Sequence, residues 1–330
     1  MGTVGGGVTI EEVAPGVYRL PFAVGTKPLA MYVLAGDGLT LIDTGLTDTP
    51  EAIYLPAIAE LGRRPDEVRL VLITHADADH IGGDRAARTL FPHALLACHA
   101  ADARWVADPA VLSAERYDGF RPFGLRYDDE TFATLDGWMF SGRPEPADLL
   151  FQGGERIRLA GDDWLDVVHV PGHTAGHLAL HNPAGGYALI GDAVFGASQL
   201  DTGGAKAAAP PYVAVAPYRA TVDRLAALGI GTLLTCHYPV MRGGEVGTFL
   251  AESRAWADRA EAAIEEALRE AAAPLTLGEA IERTDPELGP FQNPRELQWA
   301  LRAHLEQAAA RGRARAVDHS GITAWVHAGA

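Results

Sequence analysis

The segment Thr74-His75-Ala76-Asp77-Ala78-Asp79-His80 sets two imidazoles and two carboxylates side by side, directly after the apolar run Val68-Arg69-Leu70-Val71-Leu72-Ile73. Imidazole and carboxylate are the ligands of borderline and hard divalent cations. Residues two apart share a side of an extended chain, so His75, Asp77 and Asp79 would project together. His80 would turn away and serve a second ion. A polar turn capped by its own carboxylates is the plain alternative.

Three later pieces weigh against that alternative. Pro171-Gly172-His173-Thr174-Ala175-Gly176-His177 follows a strand signal ending at Val170. Leu189-Ile190-Gly191-Asp192 is another strand ending in a carboxylate, and Leu233-Leu234-Thr235-Cys236-His237 a third ending in a histidine. Ligands at successive strand ends, all at one edge of a sheet, are what a metal site requires of rigid elements.

The elements that must position them are legible at low resolution. Strands are predicted at 16–20, 30–34, 39–42, 68–73, 94–98, 156–159, 165–170, 178–181, 187–190 and 232–235. Helices are predicted from Pro50 toward Leu61, with Thr49 as N-cap, and over 83–90 and 217–228. Residues 105–150 break the pattern. They read as an irregular insert rich in Gly, Pro, Asp and aromatics (Trp105, Tyr117, Phe120, Phe123, Tyr127, Phe132, Trp138, Phe140), either a wall of a substrate pocket or glue to the body. From about Val246 the sequence becomes Ala-, Glu- and Arg-rich at helical spacing. Helices are expected at 247–271, 276–284 and 294–310, with a small hairpin over 316–326. The expected division is therefore 1–245 and 246–330, the latter helical or winged-helix-like.

Composition narrows the partners. The 330 residues carry 27 Lys plus Arg against 43 Asp plus Glu, a formal charge of −16. Such a surface repels phosphate backbones and anionic lipid, and Arg311, Arg313 and Arg315 are too few to form a basic patch. A small-molecule substrate is expected, with neither nucleic acid nor membrane, and a homo-oligomer is open. Two cysteines, Cys98 and Cys236, make no disulfide framework. The opening MGTVGGGVTI has no basic n-region or apolar h-region of a secretory signal, so the expected location is cytoplasmic.

The motifs and their order over about residues 8–245 resemble the metallo-β-lactamase superfamily. Its loop motif reads HxHxDH, and its later ligands are a His in a PGHTxGH segment, a bridging Asp after a strand and a final His. The resemblance implies an α/β fold, a four-layer αββα sandwich, here with a small, mostly helical C-terminal domain. It implies that His75, Asp77 and His173 hold one ion, Asp79, His80 and His237 a second, and that Asp192 bridges them. Leu41-Ile42-Asp43-Thr44-Gly45 matches an early loop whose Asp supports the ligand shell. The implied activity is that of a dinuclear hydrolase cleaving a lactone, thioester, ester or amide through a hydroxide shared by two ions, with Asp79 orienting the nucleophile.

Asp77 departs from the family pattern, which has His there. A carboxylate at this position resembles the superfamily's diiron members, which use Glu. Asp is shorter, so it would ligate with loop adjustment or through water. Zinc is the first choice for the two ions, with iron or manganese the alternative. A diiron oxidoreductase or hydroxylase is accordingly the alternative activity, and nucleic-acid processing by a winged-helix arm a further one. His177 is expected to hydrogen-bond behind the ligands. His93, His99, His169 and His181 are expected to be ordinary core or surface residues. Cys236 should point to the opposite face of its strand, as a structural thiol. Tyr238 is either a donor to a developing oxyanion, and so a catalytic residue beside Asp79 and Asp192, or a packing residue.

Overall fold

The computed structural model describes residues 8–139 and 143–329. The opening MGTVGGG and Phe140 of the aromatic insert lie outside the described residues.

One sheet contains β1 (Glu11–Ala14), β2 (Val17–Val24), β3 (Lys27–Ala35), β4 (Leu39–Ile42), β5 (Val68–Leu72), β6 (Leu95–His99) and β7 (Leu149–Phe151), in that spatial order. Short turns join β1 to β4, which therefore pair antiparallel. From β4 onward longer connections carry helices, and the pairing becomes parallel. The second sheet begins with β8 (Arg156–Ala160), β9 (Asp163–His169), β10 (Leu178–Asn182) and β11 (Tyr187–Leu189). A two-stranded ribbon, β12 (Gln199–Leu200) and β13 (Lys206–Ala208), follows. The helix Val215–Ala227 then leads to β14 (Thr232–Leu234), parallel to β11, and β15 (Met241–Arg242) forms the edge.

Side-chain alternation explains the layering. Val17, Tyr32, Leu34, Ile42 and Leu72 of the first sheet meet Leu165, Val167, Leu178, Leu180, Leu189 and Leu234 of the second in one buried cluster. Their neighbours Leu20, Met31, Val33, Leu41 and Val71 point the other way and join the core that holds Tyr54 and Ile58 of the flanking helical turns. This is the four-layer αββα sandwich expected from the motifs.

Two local expectations change. Thr49 is not an N-cap: its backbone is helical, and its hydroxyl accepts from the Leu46 amide at 2.9 Å. The insert is not irregular: it forms helices Ala103–Ala107, Pro109–Leu112, Ser113–Tyr117 and Asp129–Trp138. Its Gly and Pro residues punctuate short helices, because tertiary packing of Tyr117, Phe120, Phe123 and Tyr127 stabilises turns that local propensity alone leaves marginal.

The C-terminal stretch forms helices Gly244–Glu270, Leu277–Leu288 and Leu297–Ala310. Beside them stands a three-stranded sheet of β16 (Leu275–Thr276), β17 (Ala314–His319) and β18 (Ile322–His327). Thr276 and Glu279 form a reciprocal capping box that starts the middle helix. The insert grips this region: Phe123 stacks on Trp325 with centroids 5.6 Å apart, and Phe120 meets Trp299 edge-on at 4.6 Å. Among the described residues no helix is long and apolar enough to cross a membrane.

Candidate metal centre

Each expected ligand leaves the C-terminal end of a strand on one edge of the sandwich. β5 delivers His75, β9 the Gly172-His173 turn, β11 Asp192 and β14 His237. Gly172 is required where it stands, with φ of +142° and a space in which a Cβ would lie 2.6 Å from the Tyr218 Cα. Asp79 and His80 depart from the extended reading. They lie on a helical turn, Ala78–Ile81, for which Asp77 is the extended N-terminal flank. A helical turn brings both side chains inward from adjacent positions, which an extended chain cannot do.

The four histidines are anchored alike. His80 Nδ1 meets Asp43 Oδ2 at 2.8 Å, His173 Nδ1 the Pro211 carbonyl at 2.8 Å and His237 Nδ1 the Pro28 carbonyl at 2.8 Å. His75 Nδ1 lies 3.0 Å from the Thr74 hydroxyl, which itself donates to Asp43 at 2.8 Å. An acceptor on Nδ1 places the proton there and leaves Nε2 as an inward lone pair. Asp43, in a left-handed backbone conformation with φ of 59°, thus supports two ligands, as its motif implies.

The inward atoms converge on one carboxylate oxygen. Asp192 Oδ2 lies 2.9 Å from His237 Nε2, 3.4 Å from His80 Nε2 and 4.0 Å from His75 Nε2. Ligand atoms of His75, His173 and Asp192 all fall within 4.8 Å of one another, and so do those of Asp79, His80 and His237. The Nε2 atoms of His75 and His80 are buried without a hydrogen-bond partner. Orphaned buried lone pairs are costly unless a cation completes them, so the residues fit divalent metal ions.

At His75 and Asp192 electrostatics agree, whereas at His80, against burial, the carboxylates of Asp43 and Asp192 help hold the pKa above its usual value. Burial and the imidazoles of His80, His177 and His173 hold the His75 pKa well below its usual value, so it stays a neutral donor. Burial opposes ionisation of Asp192, yet His237 and His80 hold its carboxyl well below the usual carboxylate range.

The sequence of residues 25–237 matches the family model described as the metallo-beta-lactamase superfamily. The chain belongs to that superfamily. Over 198 residues it is 30% identical to the acyl-coenzyme A thioesterase MBLAC2 of Homo sapiens, covering 56% of this chain and 62% of that protein. Over 152 residues it is 30% identical to a hydroxyacylglutathione hydrolase of Cereibacter sphaeroides, covering 46% of this chain and 43% of that one. The chain thus spans less than two thirds of the length of these relatives. Among solved structures, a metallo-beta-lactamase family protein of Thermus thermophilus superposes with a TM-score of 0.73 at 23% identity, over 96% of this chain and 100% of that one. Both relatives are named as thioester or acylglutathione hydrolases.

Among the candidate ligands Asp77 has different surroundings from the rest. Its carboxylate reaches the site, with Oδ2 2.9 Å from His173 Nε2 and 3.7 Å from His75 Nε2. It is also bound by Arg116, whose Nε and Nη2 donate to the two oxygens at 2.7 Å each, and by the Tyr117 hydroxyl at 2.5 Å. Burial disfavours its charge, but Arg116 and His173 hold its pKa well below the usual value. Asp77 was the motive for a diiron reading, and here it is first of all the partner of a guanidinium. Opposite, the Lys27 ammonium lies 2.7 Å from Asp79 Oδ2.

Tyr238 is not brought to the cavity: its hydroxyl is bonded to the carbonyls of Phe195 and Ser198, and its ring packs on Phe249 at 5.0 Å. That corrects its assignment as an oxyanion donor and leaves the packing role. Cys236 is buried and donates to the Ala30 carbonyl at 3.1 Å, yet its sulfur lies within 4.8 Å of ligand atoms of His80 and Asp192. It therefore does not face away from the site as strand alternation suggests, because β14 ends at Leu234 and the chain turns before it. His177 behaves as expected, accepting from the Asp192 amide at 3.1 Å and stacking on His75 at 4.5 Å.

The sequence reading missed Lys27, Arg116 and Asp102, and it named Tyr117 only as an aromatic of the insert, without its contact to Asp77. Asp102 ties the two ligand loops together, accepting from the Ala76 and Gly176 amides and the Thr174 hydroxyl. None of the four lies in a motif with its partner, so no spacing signal marks them.

The centre forms the floor of a cavity of about 310 Å³. Leu135 and Trp138 of the insert, Leu200 of the ribbon and Trp299 of the C-terminal region are among its walls.

Proposed function

We propose that this protein hydrolyses thioesters of small acyl groups, with two divalent ions held by His75, Asp77, His173, Asp79, His80, His237 and Asp192. Bound ions would polarise the carbonyl and acidify a water, which is the chemistry they supply in this superfamily. The chain's own residues set the choice of bond.

One observation carries the reading: two buried candidate ligand sets open into a cavity whose walls include Leu135, Trp138, Leu200 and Trp299. An amide nitrogen must be protonated as it leaves. A thiolate, whose conjugate acid has a pKa of about 8.5, departs without that help. The apolar walls suit an acyl chain, and the relatives' names, an acyl-coenzyme A thioesterase and a hydroxyacylglutathione hydrolase, support the same class.

Zinc is the proposed metal, since each ion would take two imidazoles and carboxylate oxygen. The test is a panel of acyl-CoA and acyl-glutathione thioesters, a lactone, an oxygen ester and a β-lactam, assayed on zinc-loaded protein. A thioester should lead in kcat/KM by about tenfold or more. A lead by the β-lactam would overturn the proposal.

A further inference from the structure

Among the described residues lining the metal cavity, the cations are Lys27 and Arg116. Arg116 sits in the helical turn Ser113–Tyr117 and is 4% exposed. Its fork covers both oxygens of Asp77 at 2.7 Å, and the Tyr117 hydroxyl takes a second direction on Oδ1 at 2.5 Å. Trp299 lies over the guanidinium, whose carbon is 4.8 Å from the ring centroid. Nη1 faces the His173 carbonyl at 3.4 Å, and Nη2 stands 3.4 Å from His173 Nε2, one of the inward lone pairs. The guanidinium is packed between Asp77 and an indole.

We propose that Arg116 is a resident cation of the metal centre, which makes the two metal positions unequal. The position of His75 and His173 shares Asp77 with a fixed positive charge and binds its ion loosely; the position of Asp79, His80 and His237 binds its ion firmly. Two effects act together. A carboxylate engaged by a bidentate guanidinium is a weaker electron donor to a metal. The guanidinium also repels a dication at close range, in a buried setting where screening is poor. Lys27 has neither effect to the same degree. It meets Asp79 through one oxygen, its side chain is 31% exposed, and its flexible stem can carry the ammonium aside when an ion arrives.

This inference rests on the metal-centre reading but not on the thioester substrate, and its test measures binding rather than turnover. Metal-free protein is titrated with zinc in calorimetry, with a competing chelator to reach the tighter step. The wild type should show two steps separated by about tenfold or more, as loss of charge from one ligand set implies. His173→Ala should remove the weaker step and His237→Ala the stronger. Arg116→Gln should tighten the weaker step by about tenfold and leave the stronger within about twofold, the scale on which partners of ligands act. Tyr117→Phe keeps the ion pair and frees one direction on Oδ1. It should tighten the weaker step by about threefold, and it serves if Arg116→Gln does not fold. Two equal steps in the wild type, or a weaker step unmoved in both variants, would overturn the proposal. Protein that binds no zinc at all would remove the metal-centre reading, and this inference with it.

Discussion

Asp77 and Asp79 stand two residues apart on one loop, both are buried, and each faces a cation, but the two pairs are built differently. Asp77 is gripped through both oxygens by a guanidinium whose side chain is 2% exposed. Asp79 is met through one oxygen by an ammonium on a partly exposed stem. The first pair is part of the packing between the insert and the C-terminal region. The second sits in the cavity wall, within reach of whatever enters. The contrast shows how one short motif can set two carboxylates in different electrostatic surroundings, according to what other parts of the chain place against each.

The largest expected effect comes from removing what the two halves share. Asp192→Ala should lower zinc content to one ion or none and turnover by about a hundredfold or more, because two dications repel strongly without a shared carboxylate. Elemental analysis showing two ions with activity intact would show that the halves do not need their bridge.

Stability of the metal-free protein should separate the pairs next. Asp77→Ala strands a buried guanidinium and should cost about 3 kcal/mol in urea unfolding. Lys27→Met strands the Asp79 carboxylate, but His80 and His237 still offset its charge, so the loss should be smaller, about 1 kcal/mol. Equal losses would mean that the two ion pairs are not different in kind.

Acid should act on the C-terminal region before it acts on Asp77. His304 lies on the same helix as Trp299 and accepts from the Tyr212 hydroxyl at 2.7 Å, and burial with nearby Arg219 pulls its pKa down to about 3. Between its ordinary value of 6.5 and about 3 the unfolded chain takes up a proton that the native state refuses. Stability should therefore fall with pH across that window, by up to about 1.4 kcal/mol per unit from this group. Asp77 is shifted in the same direction, but from a lower ordinary value. Its contribution is complete above the ordinary value of 3.8 and is lost only as pH falls toward its lower native value. In pH-dependent unfolding, His304→Gln should flatten the slope above pH 4. An unchanged slope would remove His304 as its source.

The cavity wall should affect binding more than folding. Trp138 is half-buried beside Lys27, which lies 5.9 Å from its ring, and Trp138→Ala should raise KM several-fold with little change in Tm. Tyr127→Phe should behave in the reverse way, since its hydroxyl joins Glu296 and Gln298 at 2.9 and 2.7 Å and its loss costs about 1 kcal/mol of stability. The smallest effect is assigned to Tyr238→Phe, with turnover within about twofold, because its hydroxyl is spent on backbone carbonyls. A hundredfold loss there would return Tyr238 to the catalytic machinery.

His75, Asp79, His80, His173, Asp192 and His237 could be read from sequence because each follows an apolar run that becomes a strand, and a sandwich brings strand ends to one edge. Alternation of apolar residues also made the two sheets and the C-terminal helices legible, since both periods are local properties of the chain. The insert was misjudged because its helices are too short to show a period and owe their order to aromatic contacts with Trp299 and Trp325. What only the tertiary structure decided is which cation neutralises which carboxylate. Arg116 is 39 residues from Asp77, and Lys27 opens β3 whereas Asp79 lies on the helical turn after β5. Ion pairing depends on ångström-scale placement of side chains from separate elements, and no local pattern in a sequence carries that distance.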